Sequence, residues 1–347
     1  MPFNCLLLKK LKIKMNNPKV SVIILNWNGW KDTIECLESL YQITYPNYNV
    51  IVVDNGSGDD SIEKIKEWAK GKINVESKFF KYNSSNKPIK IIEYTKDEIE
   101  VGSEKEKEIA NIPLDRKLII IKNDKNYGFA EGNNIGIKYS LKSLDPEYVL
   151  LLNNDIVVDK EFLGELVKVA ESDEKIGIVG PKICRYNFNG RNDIISYIGP
   201  KINWMKYPGY GNSGELLVDL PGKFTGAMEC GCIGGTAMMI KIKEVPIKFL
   251  NTEFFFGCED IDLCIRLKKH GYKMVQVLDS KIWHKGGISR KKRYKSKIKR
   301  QLIDIKTNFK FIKTHNDKYY LFLPLYIAQI LTNSSIAIFK KLYKRYL

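Results

Sequence analysis

Short runs of aliphatic, mostly β-branched residues recur along this chain, with helix-patterned segments between them. Residues Val20–Asn26, 50–54, 118–121 and 148–152 are each four to seven residues long and almost wholly apolar. That is the signature of strands buried on both faces. Between them, Ile34, Leu37, Leu40 and Tyr41 sit at helical spacing within 31–42, and further helices are read at roughly 60–70, 128–141 and 160–171. Strands alternating with helices imply an α/β fold with a mostly parallel sheet and crossover helices on its faces. Further strands are expected at about 176–179, after Gly234-Gly235 (through 240), and near 273–278.

Two stretches break the rhythm. Residues 72–115 are rich in Lys, Glu, Asn and Ser and read as an inserted, exposed excursion, such as a hairpin, with one strand near 89–94. Residues 183–231 are irregular and aromatic, carrying Tyr186, Tyr197, Trp204, Tyr207 and Tyr210. They suit either an acceptor-stacking surface or an ordinary hydrophobic cover.

The chain's 347 residues allow one large domain with appendages. Seven scattered cysteines include no Cys-x-x-Cys unit, which argues against a zinc site and for buried thiols in a reducing, intracellular compartment. The apolar run Leu6-Leu7-Leu8 is too short for an export signal. Residues 1–19 read as an extension, with Met15 as an alternative start. The net charge is +17. Part of it lies in 285–300, with nine basic residues and no acid, ahead of 21 uncharged residues at 319–339. Those 21 contain Pro324, Gln329, Asn333 and Ser334. They are compatible with a membrane span, a surface helix or a helix docked on the protein itself.

In an open parallel sheet, ligands bind at the carboxyl ends of the strands. Asn26, Asp54 and Asp155 stand at such ends. Asp54 can accept a hydrogen bond from a base imide. Asp155 can ligate a divalent cation, and His284 can give nitrogen to a softer one such as Mn²⁺. Glu259, Asp260 and Asp262 open a helix just after Phe254-Phe255-Phe256. Acids are favoured there by the helix dipole, and a carboxylate beside an aromatic wall is a candidate base. Asp262 and Arg266 are spaced for a structural i,i+4 pair. Gly234 and Gly235 let backbone approach a ligand closely.

Seven motifs in order carry a resemblance: VSVIILNWNG (20–29), IVVDNGS (51–57), NYGFAEGNNIG (126–136), VLLLNND (149–155), IVGPK (178–182), the segment 254–266 and HKGGIS (284–289). Together they resemble a family 2 glycosyltransferase of the GT-A fold, most similar to the branch with rhamnosyltransferases of cell-surface polysaccharide assembly. The resemblance spans about residues 20–290 and leaves 291–347 as a basic, membrane-associating tail. It implies an inverting enzyme that moves a sugar from a nucleotide diphosphate sugar, such as a dTDP-rhamnose or a UDP-sugar. The implied acceptor is a saccharide or polyprenyl-diphosphate-linked saccharide at the cytoplasmic membrane face. Asn26, Asp54, Asn126, Gly128, Asn154 and Gly235 would bind the nucleotide sugar. Asp155 and His284 would hold Mn²⁺ or Mg²⁺. Asp260 would be the base, with Glu259 beside it. The chain departs from the family's Asp-x-Asp at Asn153-Asn154-Asp155, where the first acid is missing. That departure motivates the alternative of an inactive partner subunit. A nucleic-acid-binding reading of 285–300 leaves Asp155, Asp260 and His284 without a role, so no nucleic acid is expected.

Overall fold

The computed structural model describes residues 17–101, 105, 109, 111–202, 217–255, 257–286, 297–316, 320 and 324. Its strands are β1 (Val20–Asn26), β2 (Tyr48–Asp54), β3 (Lys90–Thr95), β4 (Lys117–Lys122), β5 (Tyr148–Asn153), β6 (Ile156–Val158), β7 (Ile176–Arg185), β8 (Ile194–Ile195), β9 (Leu217–Val218), β10 (Ala227–Cys230), β11 (Ala237–Lys241) and β12 (Lys273–His284). The helices are α1 (Trp30–Leu40), α2 (Ser61–Ala69), α3 (Lys96–Val101), α4 (Gly128–Ser143), α5 (Phe162–Ala170), α6 (Glu259–Lys269) and α7 (Lys297–His315).

The sheet runs β10-β12-β7-β11-β5-β1-β2-β4-β3. From β5 through β1, β2 and β4 to β3 every pairing is parallel. β11 is antiparallel to both β5 and β7. Because β11 runs backwards, the loop that enters it opens on the same rim as the carboxyl ends of its parallel neighbours. Alternate residues feed two cores. Val22, Ile24, Val50 and Val52 pack with Leu37, Trp68 and Leu166, while Ile23, Ile51, Val53 and Ile121 pack with Ile135, Tyr139 and Leu263. Burial on both faces is why these strands read as unbroken apolar runs.

Three expectations need correction. The excursion holds no hairpin among its described residues. β3 is a parallel edge strand on β4, with Ile92 opposite Ile119 and Tyr94 opposite Ile121. Ile92 and Tyr94 are buried, which draws the segment onto the sheet. The strands expected at 176–179 and 273–278 each run on, to Arg185 and His284. β12 shifts register between Val277 and Lys281, where Ser280 turns in to donate to the Phe162 carbonyl, 2.7 Å away. Beyond that shift β12 pairs with β6. Finally, the first part of the basic tail belongs to the domain, since Phe311 and Ile312 of α7 are buried in the same core as Phe254.

The six described cysteines are buried, and no disulfide joins any two of them. Among the described residues no helix is long and apolar enough to cross a membrane. The segment 319–339, apart from positions 320 and 324, lies outside the described residues, as do Trp204, Tyr207, Tyr210 and the alternative start at Met15.

Candidate active site

Asp54 ends β2 directly opposite Asn26, which ends β1. Its Oδ1 accepts from Asn26 Nδ2 (2.7 Å) and Ser57 Oγ (2.6 Å), and its Oδ2 accepts from the Ser57 N–H (3.0 Å). Three donors hold the carboxylate while Oδ2 keeps acceptor capacity for an incoming N–H. Asn26 is fully buried, and its Oδ1 accepts from Thr33 Oγ1 (2.8 Å) and Asn154 Nδ2 (3.5 Å). Asn26 therefore positions Asp54. Asn154 is likewise committed to the framework, giving Nδ2 to Thr33 Oγ1 at 3.0 Å.

Asn126 and Gly128 form the neighbouring loop. Asn126 Oδ1 accepts from the Gly128 N–H (2.9 Å) and from Asn55 Nδ2 (3.2 Å). Gly128 has φ +84°, and a Cβ there would stand 2.7 Å from the Phe255 carbonyl oxygen. Gly56, at φ +69°, leaves only 2.6 Å between such a Cβ and the Lys125 backbone. Both contacts require glycine. They press the loop after β2 against the loop after β4, and that loop against the aromatic segment before α6.

Asp155 lies in the turn between β5 and β6, and His284 ends β12 opposite Ile156. This pairing brings together residues 129 apart in sequence, with Asp155 Oδ1 3.2 Å from His284 Nε2. Burial is the largest influence on Asp155 and opposes its ionisation, but the His284 hydrogen bond and charge and the backbone N–H groups of Asp155 and Gly286 together outweigh it and hold the carboxyl below its usual range. Carboxylate oxygen and imidazole nitrogen at this spacing fit one cation, because adjacent octahedral ligands at about 2.1 Å stand about 3 Å apart. Among the described residues no cluster of three or more His, Cys, Asp or Glu could hold a metal. Asp155 and His284 are the candidate donors. Next to it, Lys285 Nζ bridges Asp32 and Glu35 of α1, each at 2.6 Å, and Tyr186 donates to Glu35 at 2.8 Å. These contacts pin the end of β12 to α1.

Asp260 opens α6. Its Oδ2 accepts from the Gly235 N–H at 2.7 Å and its Oδ1 from the Ile261 N–H at 2.8 Å. Gly235 enters β11 beside Asn153, whose N–H donates to the Thr236 carbonyl. The chain reaches α6 through Gly257 (φ +92°) and Cys258 (φ +71°). A left-handed cysteine is strained by about 1–3 kcal/mol, a cost met where a side chain must be aimed. Burial and then the Asp260 charge raise the Glu259 carboxyl well above its ordinary range, and its Oε2 has no partner among the described residues. Asp260, whose two oxygens are aimed by the Gly235 and Ile261 N–H groups, is the candidate base of the two. The expected Asp262–Arg266 pair is present, Nε to Oδ2 at 2.7 Å.

The sequence reading missed Thr33, Ser57 and Asn55, which hold the Asp54 end, Lys285, which pins the end of β12 that carries His284 to α1, and His315, which grips α6. Ser57 lay within the quoted IVVDNGS and was legible as a turn donor. The others are joined to their partners only by the fold.

The description "glycosyl transferase family 2" matches residues 21–89 and 103–223, more than half of the chain, and the chain belongs to that family. It is 32% identical over 158 residues to the low-salt glycan biosynthesis hexosyltransferase Agl10 of Haloferax volcanii, covering 45% of this chain and 48% of the relative. It is 26% identical over 167 residues to the rhamnosyltransferase WbbL of Escherichia coli, covering 44% of this chain and 58% of the relative. The matches span about half the length of each curated relative. The fold is similar to that of GalNAc-T7, solved with UDP, GalNAc and Mn²⁺, at a TM-score of 0.51 and 16% identity over 78% of this chain and 44% of that one. That likeness concerns the fold, the GT-A arrangement of a mostly parallel sheet with flanking helices.

Proposed function

Given that family, we propose that this chain is an inverting glycosyltransferase that moves a hexosyl or rhamnosyl unit from a nucleotide diphosphate sugar to a saccharide or lipid-linked saccharide. One observation carries the reading. Asp54 on β2, the Asp155–His284 pair beyond β5, and Asp260 at the entrance to β11 stand in order along one rim of one sheet. At about 4.8 Å per strand, β2 to β11 is a distance of roughly 14 Å, room for a base, a diphosphate and a sugar laid side by side.

Asp54 receives the nucleobase N–H. Asp155 and His284 would hold a Mn²⁺ or Mg²⁺ ion, which offsets charge on the departing diphosphate when bound. Asp260 takes the proton of an acceptor hydroxyl. The oxygen forms its bond to the anomeric carbon as the bond to the diphosphate oxygen breaks on the opposite face, and the nucleoside diphosphate leaves with that electron pair. The basic run 285–300 and the uncharged stretch 319–339 support an acceptor at an anionic, cytoplasmic membrane surface. Undiminished membrane association after deletion of residues 317–347 would remove the uncharged stretch from that account.

The test is nucleoside diphosphate release from a panel of nucleotide sugars, with Mg²⁺ or Mn²⁺ and host lipid extract, beside the Asp260→Asn variant. Release with one donor, lost in the variant, is expected and names the donor. No release by folded protein with lipid present would favour the inactive-partner alternative raised by Asn153.

A further inference from the structure

Helix α7 touches the chain on both sides of Asp260. Ahead of it, Asn308 Oδ1 accepts from Cys258 Sγ at 3.2 Å, Lys310 pairs with Glu253 at 3.2 Å, and fully buried Phe311 packs on Phe254 with ring centroids 6.2 Å apart. Behind it, His315 Nε2 donates to Asp262 Oδ1 at 2.7 Å, while Arg266 occupies Oδ2 of the same carboxylate. The His315 and Asp262 side chains are 4% and 1% exposed. His315 Nδ1 has no partner among the described residues, so Asp262 is the ring's polar anchor.

A helix needed only to cover an apolar face would not bury an imidazole. Placing that ring against a carboxylate carries a desolvation cost that phenylalanine or leucine would avoid. The pair adds direction. It fixes the rotation of α7 on α6, and with it the placement of Asn308 against the strained Gly257–Cys258 turn that aims Asp260 and of Phe311 against Phe254.

We propose that α7 is a latch that sets the aim of Asp260, with His315 and Asp262 as its positioning residues. The proposal rests on the reading of Asp260 as the base. It makes the start of the basic tail part of the catalytic apparatus.

The test uses the full chain with three substitutions. His315→Ala removes the ring, His315→Phe keeps a buried ring without the N–H, and His315→Gln keeps an N–H near the Nε2 position. The Ala and Phe variants are expected to lose about tenfold to hundredfold in kcat, the scale of a small misplacement of a reacting group. Donor KM should stay within about twofold, and nucleotide should still bind one per chain. The Gln variant should recover most of the rate. Independently of activity, alkylation of Cys258, followed by mass spectrometry, should be slow in the wild type and Gln variant and fast in the other two. Wild-type kcat and slow alkylation in the Phe variant would overturn the latch. So would a fall in kcat matched by lost nucleotide stoichiometry, which would mark α7 as a support for folding only. Turnover that survives Asp260→Asn would remove the base, and the latch's target with it. A dead Asp260→Asn beside a fully active His315→Phe would remove the latch alone.

Discussion

Asp54 and Asp260 are both buried carboxylates on one rim of one sheet, but they are held in different ways. Asp54 takes two hydrogen bonds from Ser57, three residues on, and one from Asn26, its register partner on the adjacent strand. Asp260 takes its long-range bond from Gly235, 25 residues earlier, and its helix is gripped through Asp262 by His315, 53 residues later. Short loops close at little entropic cost, whereas distant contacts form only when the rest of the fold is in place. The Asp54 carboxylate is thus held by nearby and register-paired residues, and the Asp260 end depends on β11, β12 and α7 packing correctly. On the proposed function, a site built this way holds the nucleotide while its chemical step stays subject to later elements of the chain.

The largest expected effect comes from substituting the two carboxylates in parallel. Asp260→Asn should lower kcat by about 10²–10⁴-fold with donor KM nearly unchanged, since it deletes proton transfer. Asp54→Asn should raise donor KM by about 10- to 100-fold, the value of one charged hydrogen bond, and leave kcat close to wild type. Steady-state kinetics on both variants decide the matter. If both variants change both parameters alike, binding and chemistry are not divided between the two ends.

Next come the glycines that press the two ends together. Gly128→Ala should destabilise the fold by about 2–3 kcal/mol, from its left-handed φ and the clash with the Phe255 carbonyl. Gly58→Ala, in the Asp54 loop with open space around it, should stay within about 0.5 kcal/mol. Urea denaturation measures both, and equal effects would mean that the interloop contact is not tight. Asn26→Ala should cost about 1–3 kcal/mol, because it strands buried partners on Thr33, Asn154 and Asp54. A smaller loss in the same titration would show that the polar hub can rearrange.

The same contrast explains which parts were legible in the sequence. β1, β2, β4 and β5 were, because each is an apolar run buried on both faces and stopped by a polar turn. Asp54, Asp155 and Asp260 were legible because each stands next to a strand end or a helix start. The far end of β12 was not, because Asp279 and Ser280 interrupt its apolar pattern where the register shifts, so the strand reads as ending near 278, short of His284. The left-handed Cys258 could not be foreseen, since cysteine carries no signal for positive φ. Asn126 and Asn154 read as ligand contacts, and the structure engages Asn126 Oδ1 with Gly128 and Asn55 and Asn154 Nδ2 with Thr33. Lys285 with Asp32 and Glu35, and His315 with Asp262, are pairings of residues far apart in sequence. No periodicity records them.

The smallest expected effect is one of pH. Burial raises the Asp262 carboxyl, but its hydrogen bonds and charge contacts with His315 and Arg266 outweigh that and hold it below its ordinary value of 3.8. A carboxyl depressed in the folded state contributes stability that is complete above the ordinary value and is lost as pH falls through the folded one. The latch should therefore weaken in acid. Thermal melts from about pH 5 to pH 3 should show the wild type losing Tm more steeply than Asp262→Asn, which has no proton to gain at this site. Other depressed carboxyls, such as Asp219 beside Lys182 and Lys281, titrate in both proteins and cancel in the difference. Parallel slopes would mean that the Asp262 charge does not stabilise the docked helix. The long-range end of the site would then rest on apolar packing of Phe311 against Phe254, and the His315 contact would follow from that packing instead of directing it.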